Sequence, residues 1–270
     1  MKVPLFRSLV SLARFMPRAF FATIVTVLTV RAVVAADFAT VMMDATFKLG
    51  NGPSGTCFLI RREAPDTAAY LVTVAHAFDD KTETAVLVFR KPIADGALER
   101  HEYTIQLRRG GKPLWARHEK HDVAVLRIDV PLPGPVAALP ASALAEEEQL
   151  KAAKVHVCSP LFILGYPQGL EADTAARPVA RQAIFASSPL LPWRTHPTFL
   201  ADYTAFQGDS GGPAFIAGAD GRPLVVGIAT EQHYYEAEVR TPLGLVKILH
   251  APYIRETLEA AARQDEAPGR

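Results

Sequence analysis

Residues 207–213, with the sequence QGDSGGP, are the most informative stretch of the chain. Gly208 lacks a Cβ, so the backbone there can curl tightly and come close to another group. Gly211 and Gly212 leave room for the turn, and Pro213 lacks an amide hydrogen, which is tolerable at the first residue of a strand. The stretch therefore predicts a tight loop that carries Ser210 and leads into a strand.

Short apolar runs separated by Gly, Pro, Asn and Asp surround this loop. This rhythm is typical of β-sandwiches and barrels rather than of alternating strands and helices. One amphipathic helix is predicted over 252–264, where Ile254, Leu258 and Ala261 or Ala262 recur at helical spacing. Strands are predicted at 46–49, 56–61, 70–74, 85–90, 102–107 and 123–128, and then at 155–165, 179–186, 198–203, 213–216, 224–230 and 239–246.

A proline-rich stretch at 131–140, PLPGPVAALP, separates the two sets of strands. Its prolines fix φ and remove amide donors, so neither a strand nor a helix is expected there. Residues 143–153 are good helix formers and predict a short surface helix. We predict five segments: a leader at 1–36, a β-rich unit at 37–130, a linker at 131–150, a second β-rich unit at 151–247, and a C-terminal helix with its tail at 248–270.

The first 36 residues contain five basic residues and no acid, and residues 19–30 form an apolar run. Val34 and Ala36 supply small residues three and one before a plausible cleavage site ahead of Asp37. This pattern is typical of a signal peptide and predicts a secreted or periplasmic protein without stable membrane association after cleavage. The alternative is a retained single-pass anchor, although Arg31 ends the apolar run short of the roughly 20 residues that span a bilayer.

The composition excludes several classes of protein. With 270 residues and 49% hydrophobic content, the chain can bury a sizeable core, which excludes disorder as its main state. The 29 Lys and Arg balance 28 Asp and Glu, so nothing suggests a nucleic-acid-binding domain. Two cysteines cannot form a disulfide-dense scaffold or a four-thiolate zinc site. We expect no cofactor and no metal, and the sequence leaves the oligomeric state open.

Three motifs carry residues suited to nucleophilic catalysis: LVTVAHAF around His76, HDVAVLRI around Asp122, and the loop around Ser210. A serine hydroxyl is a poor nucleophile unless a neighbouring base takes its proton. Histidine suits that role because its ordinary pKa lies near neutrality. Asp122 would hold the imidazole in the right tautomer. The backbone N–H groups of Gly208 and Ser210 could stabilise the charge that develops on a carbonyl oxygen.

In their order and chemistry these motifs resemble those of the chymotrypsin-like (trypsin-fold) serine endopeptidases, and more closely their bacterial secreted branch than the animal digestive enzymes. The resemblance implies an all-β fold of two six-stranded antiparallel Greek-key barrels with a C-terminal α-helix, and a site between the barrels. It implies that His76, Asp122 and Ser210 form a catalytic triad, that Gly208 and Ser210 form the oxyanion hole, and that peptide hydrolysis proceeds through an acyl-enzyme intermediate.

The same resemblance implies a specificity pocket with its base at Thr204. Ala205 and Gln207 follow it, and Ala229 and Thr230 lie on the facing strand. The trypsin pattern has an acid at the position of Thr204, and the bacterial glutamyl endopeptidases have a histidine at that of Ala229. Neither is present, so we expect a small, uncharged pocket that favours small or apolar side chains. The alternative is that these residues are ordinary strand residues.

Asp209 precedes the serine, and in trypsin-like zymogens the matching acid pairs with a newly freed amino terminus. The predicted mature start, DFATVM, has no sequence of the IVGG kind, so we do not expect activation by terminal insertion. We expect a backbone donor or an arginine to be the partner of Asp209.

Two further features leave alternatives open. Cys57 and Cys158 fall in different halves and could form a disulfide, but neither position matches the family disulfide beside the histidine, which favours two separate buried thiols. His118, Glu119 and His121 are close in sequence, but the zinc-protease motif needs two histidines four residues apart on a helix. We therefore expect solvated loop residues rather than a metal site.

The sequence thus predicts a serine endopeptidase that acts on protein or peptide substrates. Two alternatives remain: a catalytically silent relative that binds a partner through the same cleft, and an esterase or amidase that uses the same site. The presence of all three motif residues together with Gly208 favours the endopeptidase.

Overall fold

The computed structural model describes most of the chain after the predicted leader, which itself lies outside the described residues. Within the described part, no helix is long and apolar enough to cross a membrane. The described residues are 38–50, 55–63, 68–79, 83–128, 137–236 and 239–266.

The N-terminal half is one β-sheet preceded by a short helix. Helix α1 covers residues 38–45. Helix α2, His76–Asp79, follows the third strand. The strands are β1 Thr46–Leu49, β2 Thr56–Arg61, β3 Ala69–Thr73, β4 Thr84–Pro92, β5 Leu98–Gln106, β6 Arg108–Arg109, β7 Lys112–Pro113, β8 Trp115–Arg117 and β9 Ala124–Ile128. Their order in the main sheet is β5-β4-β1-β2-β3-β9-β8, and all neighbours on this path are antiparallel.

The path of this sheet is open, which corrects the expectation of a closed six-stranded barrel in this half. Among the described residues, its two edge strands, β5 and β8, do not pair with each other. The chain instead passes from one edge to the other through the β6–β7 hairpin, which turns at Gly110 and Gly111 with positive φ. Leu114 donates a backbone hydrogen bond of 2.8 Å to Leu107 across this hairpin. Strand β8 has only three residues, so it presents few backbone groups that could pair with β5 and close the sheet.

The segment between the halves is more structured than its prolines suggest. Strand β10, Leu139–Pro140, pairs in parallel with β2, although no strand was expected at 131–140. Pro140 ends this strand, so its missing amide donor costs nothing there. Helix α3, Glu147–Ala152, confirms the predicted short helix and begins with a capping box between Glu146 and Gln149.

The C-terminal half is a closed barrel, as predicted, followed by the predicted terminal helix. Its order is β11-β12-β13-β16-β15-β14. The elements are β11 Pro160–Gly165, β12 Val179–Phe185, β13 Thr198–Asp202, β14 Pro213–Ala217, β15 Pro223–Tyr235, β16 Thr241–His250 and helix α4 Ala251–Glu266. The predicted all-β, trypsin-like fold is therefore confirmed, with the open N-terminal sheet as its departure.

The first strand of the barrel begins later than predicted. Lys154 and Cys158 both have positive φ, which a strand does not tolerate, so β11 starts at Pro160 rather than at residue 155. Cys158 is consequently exposed, whereas Cys57 is buried, and both are free. The expectation of two separate thiols is confirmed, but the expectation that both are buried is wrong for Cys158. Burial raises the pKa of the Cys57 thiol well above its usual range.

Aromatic and charged contacts join the two halves. Phe38 on α1 contacts Phe162 and Phe215 of the barrel, with ring centroids 5.9 and 6.0 Å apart. Lys48 on β1 donates to Gly169 O at 2.8 Å and to the Glu171 carboxylate at 2.9 Å. These contacts hold the N-terminal sheet against the loop that follows β11, at the border where the motif residues gather.

Candidate active site

His76 and Asp122 meet because β3 and β9 are paired neighbours. Thr73 at the end of β3 lies opposite Ala124 at the start of β9. His76 follows β3 by three residues and Asp122 precedes β9 by two, so both reach the same end of the sheet. The distance from His76 Nδ1 to Asp122 Oδ2 is 2.6 Å, and the backbone N–H of His76 donates to Asp122 Oδ1 at 3.0 Å. A carboxylate at Nδ1 favours the tautomer in which Nε2 carries no hydrogen and can accept a proton.

The environment of Asp122 keeps this carboxyl group ionised. Burial alone would raise its pKa, but the hydrogen bonds from the His76 side chain and backbone, the charge of His76 and the backbone N–H of Ala75 oppose burial, and the pKa is lowered overall. Asp122 therefore remains a negatively charged acceptor for the imidazole across the neutral pH range.

Ser210 lies in the tight turn before β14, where the two halves touch. Its carbonyl accepts a hydrogen bond of 2.9 Å from the backbone N–H of Thr56 on β2. Its hydroxyl donates to Thr230 O at 3.4 Å, which is long for a hydroxyl donor and therefore weak. Ser210 and His76 line the same cleft, whose volume is about 290 Å³.

The backbone around Gly208 leaves two N–H groups free to bind an anion. The carbonyl of Gln207 accepts the N–H of Gln168 at 2.6 Å, and the carbonyl of Asp209 accepts the N–H of Gly212 at 2.9 Å. In a trans peptide the N–H points away from the carbonyl, so the N–H groups of Gly208 and Ser210 point away from these anchors. Within the described residues neither has a hydrogen-bond partner. Two adjacent free donors of this kind suit an oxyanion.

Gly208 could not be replaced without moving its neighbours. Its φ is +100°, and a Cβ at this position would lie 2.2 Å from the carbonyl oxygen of Tyr166. The glycine is thus required both by the backbone conformation and by the close approach of the loop after β11.

Asp209 is fully buried and has the kinds of partner that the sequence predicted. Arg181 on β12 forms an ion pair with it, and the N–H of Phe206 donates to the same carboxylate oxygen at 2.8 Å. Arg181 also hydrogen-bonds to the Tyr203 hydroxyl and lies over the Tyr203 ring, 4.1 Å from its centroid. Burial raises the pKa of Asp209, and Phe206 and Arg181 oppose this rise. The aspartate preceding Ser210 is therefore fixed from within the barrel.

A comparison with protein families agrees with this geometry. The profile of the trypsin-like peptidase domain matches residues 55–228, which is more than half of the chain and includes His76, Asp122 and Ser210. The chain belongs to the trypsin-like peptidase domain family. No curated protein that was compared matches the chain. The bacterial branch within the family stays a prediction.

The cleft of this trypsin-like peptidase domain contains most of the residues that the resemblance assigned to a specificity pocket. Ala205, Gln207, Ala229 and Thr230 line it together with His76 and Ser210. Thr204 is not among the lining residues, and its carbonyl instead accepts a hydrogen bond of 2.9 Å from Arg181.

Six lining residues were missed by the sequence reasoning: Phe206, Glu231, Gln232, Tyr234, Arg240 and Val246. The Gln232 side chain accepts the N–H of Ala205 at 2.6 Å and donates to His233 O at 2.8 Å. Arg240 lies over the Tyr234 ring and is paired with Glu236 at 2.9 Å, and Glu231 is paired with Lys247 at 2.6 Å. Two charged residues, each in an ion pair, therefore border the pocket that was expected to be uncharged. Residues 231–235, EQHYY, have no apolar alternation, and only the length of β15 shows that they continue the strand.

The histidines near Asp122 pack against helix α4, so they are not the solvated loop residues that were expected. His118 Nε2 lies 3.1 Å from Glu256 Oε2, and its side chain is only 12% exposed. The ring centroid of His121 is 4.1 Å from that of Tyr253, and burial lowers the pKa of His121. No group of three potential metal ligands occurs in the described part of the domain.

Proposed function

We propose that this trypsin-like peptidase domain is a serine endopeptidase that hydrolyses peptide bonds through a Ser–His–Asp triad. The observation that carries the proposal is the 2.6 Å contact between His76 and Asp122 beside a cleft that both His76 and Ser210 line. The two free N–H groups at Gly208 and Ser210 add the anion-binding element that acyl transfer requires.

In the proposed reaction, His76 Nε2 takes the proton from the Ser210 hydroxyl while the Ser210 oxygen attacks the carbonyl carbon of the substrate. The N–H groups of Gly208 and Ser210 bind the oxygen that becomes negative, and Asp122 stabilises the imidazolium. His76 then gives the proton to the departing amine, which leaves an ester on Ser210. A water molecule attacks this ester, His76 takes its proton, and collapse returns the proton to Ser210 and releases the acid.

The proposed substrates are proteins or peptides with a small, uncharged residue before the cleaved bond. Ala205, Ala229 and Thr230 present small side chains to the cleft, and the Gln232 amide occupies space between Ala205 and His233. The volume of about 290 Å³ lies just below the usual range of about 300 to 1,000 Å³ for small-molecule sites. A cleavage profile dominated by Arg, Lys or Glu at that position would contradict this part of the proposal.

The proposed location is outside the cytoplasm, and it rests on the leader pattern of residues 1–36 alone. N-terminal sequencing of the exported protein should then begin at Asp37 or within a residue or two of it. A start at Met1 in the membrane fraction would instead support the retained anchor.

Labelling with a fluorophosphonate probe tests the catalytic proposal, because the probe reacts covalently with an activated serine. We expect the full chain to be labelled on Ser210, and Ser210→Ala to remain unlabelled. Ser142→Ala is a matched control, since Ser142 lines a separate cavity and should leave labelling unchanged. Absence of labelling in a folded wild-type protein, or equal labelling of Ser210→Ala, would overturn the proposal in favour of a silent binding protein. Labelling with cleavage of esters but not of peptides would favour an esterase.

A further inference from the structure

We propose that the hydroxyl group of Thr56 is a positioning group for the oxyanion hole, acting from the opposite half of the molecule. This inference rests on the proposed peptidase function and names a residue that no motif indicated. Thr56 is the first residue of β2 and is fully buried. It lies between the Ser210 turn and the loop that follows β11.

The direction of the Thr56 hydroxyl is determined by its two partners. Thr56 Oγ1 lies 3.2 Å from the backbone nitrogen of Tyr166, which can only donate, so the hydroxyl oxygen accepts there. Its single hydrogen is then available for the carbonyl of Gly208, 2.7 Å away. The hydroxyl thus connects the loop after β11 with the backbone of the oxyanion turn.

The contact fixes one of the two peptide planes that meet at Gly208. Thr56 holds the carbonyl of Gly208, and the N–H of Gln168 holds the carbonyl of Gln207 at 2.6 Å. A glycine can otherwise rotate freely about both of its backbone bonds. Because both planes are held, the φ of +100° at Gly208 is maintained, and the peptide that carries the Gly208 N–H keeps a fixed orientation relative to the peptide that follows it.

The backbone of Thr56 supports the other side of the same turn. Its N–H donates to Ser210 O at 2.9 Å, and its carbonyl accepts the Thr73 hydroxyl at 2.8 Å. A Cβ at Gly211 would lie only 2.0 Å from the Thr56 carbonyl oxygen, so the turn is packed directly against β2. The turn therefore depends on β2 for its placement, and the hydroxyl is the part of Thr56 that can be removed without changing the backbone.

Loss of the hydroxyl would affect the transition state more than substrate binding. Thr56 does not line the cleft, so its removal should leave contacts with the substrate side chain in place. Without it, the Gly208 carbonyl and the Tyr166 N–H would both lose a buried partner, and the peptide between Gly208 and Asp209 would gain freedom to turn. This peptide links the two peptides that carry the N–H groups of Gly208 and Ser210, so the two donors would be held less well in position relative to each other.

The test compares Thr56→Val, which keeps the shape and removes the hydroxyl, with Thr56→Ser, which keeps the hydroxyl. We expect Thr56→Val to lower kcat at least about tenfold while KM changes less than about twofold, since the loss of one oxyanion donor costs more than this. We expect Thr56→Ser to restore most of kcat. Affinity for a peptide aldehyde, whose adduct carries an oxyanion, should fall in Thr56→Val in parallel with kcat.

Thr257→Val is the matched control for loss of a buried threonine hydroxyl. Thr257 is also buried, and its hydroxyl donates to Tyr253 O at 2.7 Å within α4. We expect Thr257→Val to lower the melting temperature by about as much as Thr56→Val does, while its kcat stays at the wild-type value. If Thr56→Val does not fold, Thr56→Cys, which has a weak donor of similar size, should show the same loss of kcat.

A folded Thr56→Val or Thr56→Cys variant that keeps wild-type kcat would overturn the positioning role while leaving the peptidase proposal intact. Equal losses in Thr56→Ser and Thr56→Val would likewise overturn it, because the hydroxyl would then not matter. If wild type and Thr56→Ser both fail to react with the fluorophosphonate probe, the proposed function itself fails and the positioning role fails with it.

Discussion

Arg181 supports the candidate site through the residue next to Ser210, although Arg181 itself does not line the cleft. It pairs with the fully buried Asp209 beside Ser210, and its guanidinium also contacts Tyr203 and the Thr204 carbonyl. A buried carboxylate that loses its cation must either remain charged without a partner or take up a proton. Arg181 therefore holds the turn that carries Ser210, the proposed nucleophile.

The variant Arg181→Met should lose activity and stability together. We expect a decrease of about 3 kcal/mol in the free energy of unfolding, because breaking one side of a buried pair leaves an uncompensated charge. Urea denaturation measures this change, and probe labelling measures the activity. Lys151→Met removes exposed pairs with Glu147 and Glu148 and should change the free energy of unfolding far less than Arg181→Met does. Similar small effects for both variants would show that the Asp209 pair does not support the turn.

The candidate triad residues could be proposed from the sequence because each lies in a short local motif, whereas Arg181 and Thr56 could not. Arg181 is 28 residues from Asp209, and Thr56 is 152 residues from Gly208. Both contacts depend on which strands face each other across the barrel or between the halves. The sequence did indicate that Asp209 needs a partner, but not which arginine would supply it.

At the scale of single elements, β15 determines the shape of the cleft. This strand continues to Tyr235, and its pairing with β16 shifts register between Ala229 and Glu231 and again between Gln232 and Tyr234. Such irregularities bend a strand and redirect its side chains. The Gln232 side chain thereby reaches the N–H of Ala205 across the cleft.

Replacing Gln232 should widen the pocket and change specificity. We expect Gln232→Ala to shift the preferred residue before the cleaved bond from small towards larger apolar side chains, because the amide no longer fills the space beside Ala205. A peptide-library cleavage profile measures the shift. Gln182→Ala, on the outside of β12, should keep the wild-type profile. An unchanged profile in Gln232→Ala would mean that Gln232 does not limit the pocket.

The sequence predicted apolar strands such as β2 well, but it did not predict the short strands that are rich in charged or proline residues. The bounds of β1 and β2 match the prediction, and a glycine marks the end of β1 at residue 50 and another the start of β2 at residue 55. Strands β6, β7 and β8 have two or three residues each in the stretch RRGGKPLWAR, which is too short to show an alternation. Strand β10 depends on pairing with β2, which lies far away in the sequence.

On the scale of the whole molecule, the N-terminal half supports the proposed oxyanion turn of the C-terminal half. Lys48 binds Gly169 and Glu171. Arg90 donates to the carbonyl of Ala176 and to three carbonyls where α1 ends and β1 begins. These contacts hold both ends of the loop after β11, whose Gln168 N–H anchors Gln207. The site is thus a property of the assembled halves rather than of the barrel alone.

Stability should depend on pH through His250, a buried histidine at the end of β16. Burial lowers the pKa of His250 to about 4, so the unfolded chain takes up a proton before the folded one does. The contribution of neutral His250 to the free energy of unfolding is fully present above about pH 6.5, and it is lost as the pH falls towards 4. The loss should amount to roughly 3 kcal/mol.

The variant His250→Leu should reduce this dependence. Its free energy of unfolding, measured by urea denaturation at a series of pH values, should fall less than that of wild type between about pH 6.5 and 4. His250→Gln, a second uncharged replacement, should show the same flattening. Parallel curves for wild type and both variants would show that His250 does not titrate with unfolding.

The most direct test of the central claim is cleavage of an unfolded protein substrate, with new termini identified by mass spectrometry. The full chain is compared with Ser210→Ala and His76→Ala, after thermal unfolding has shown that all three are folded. We predict that wild type produces defined new termini and that both variants lose at least about 1,000-fold in rate, the scale known for triad members of this family. An intact substrate after incubation with folded wild type, or equal cleavage by Ser210→Ala, would contradict the account.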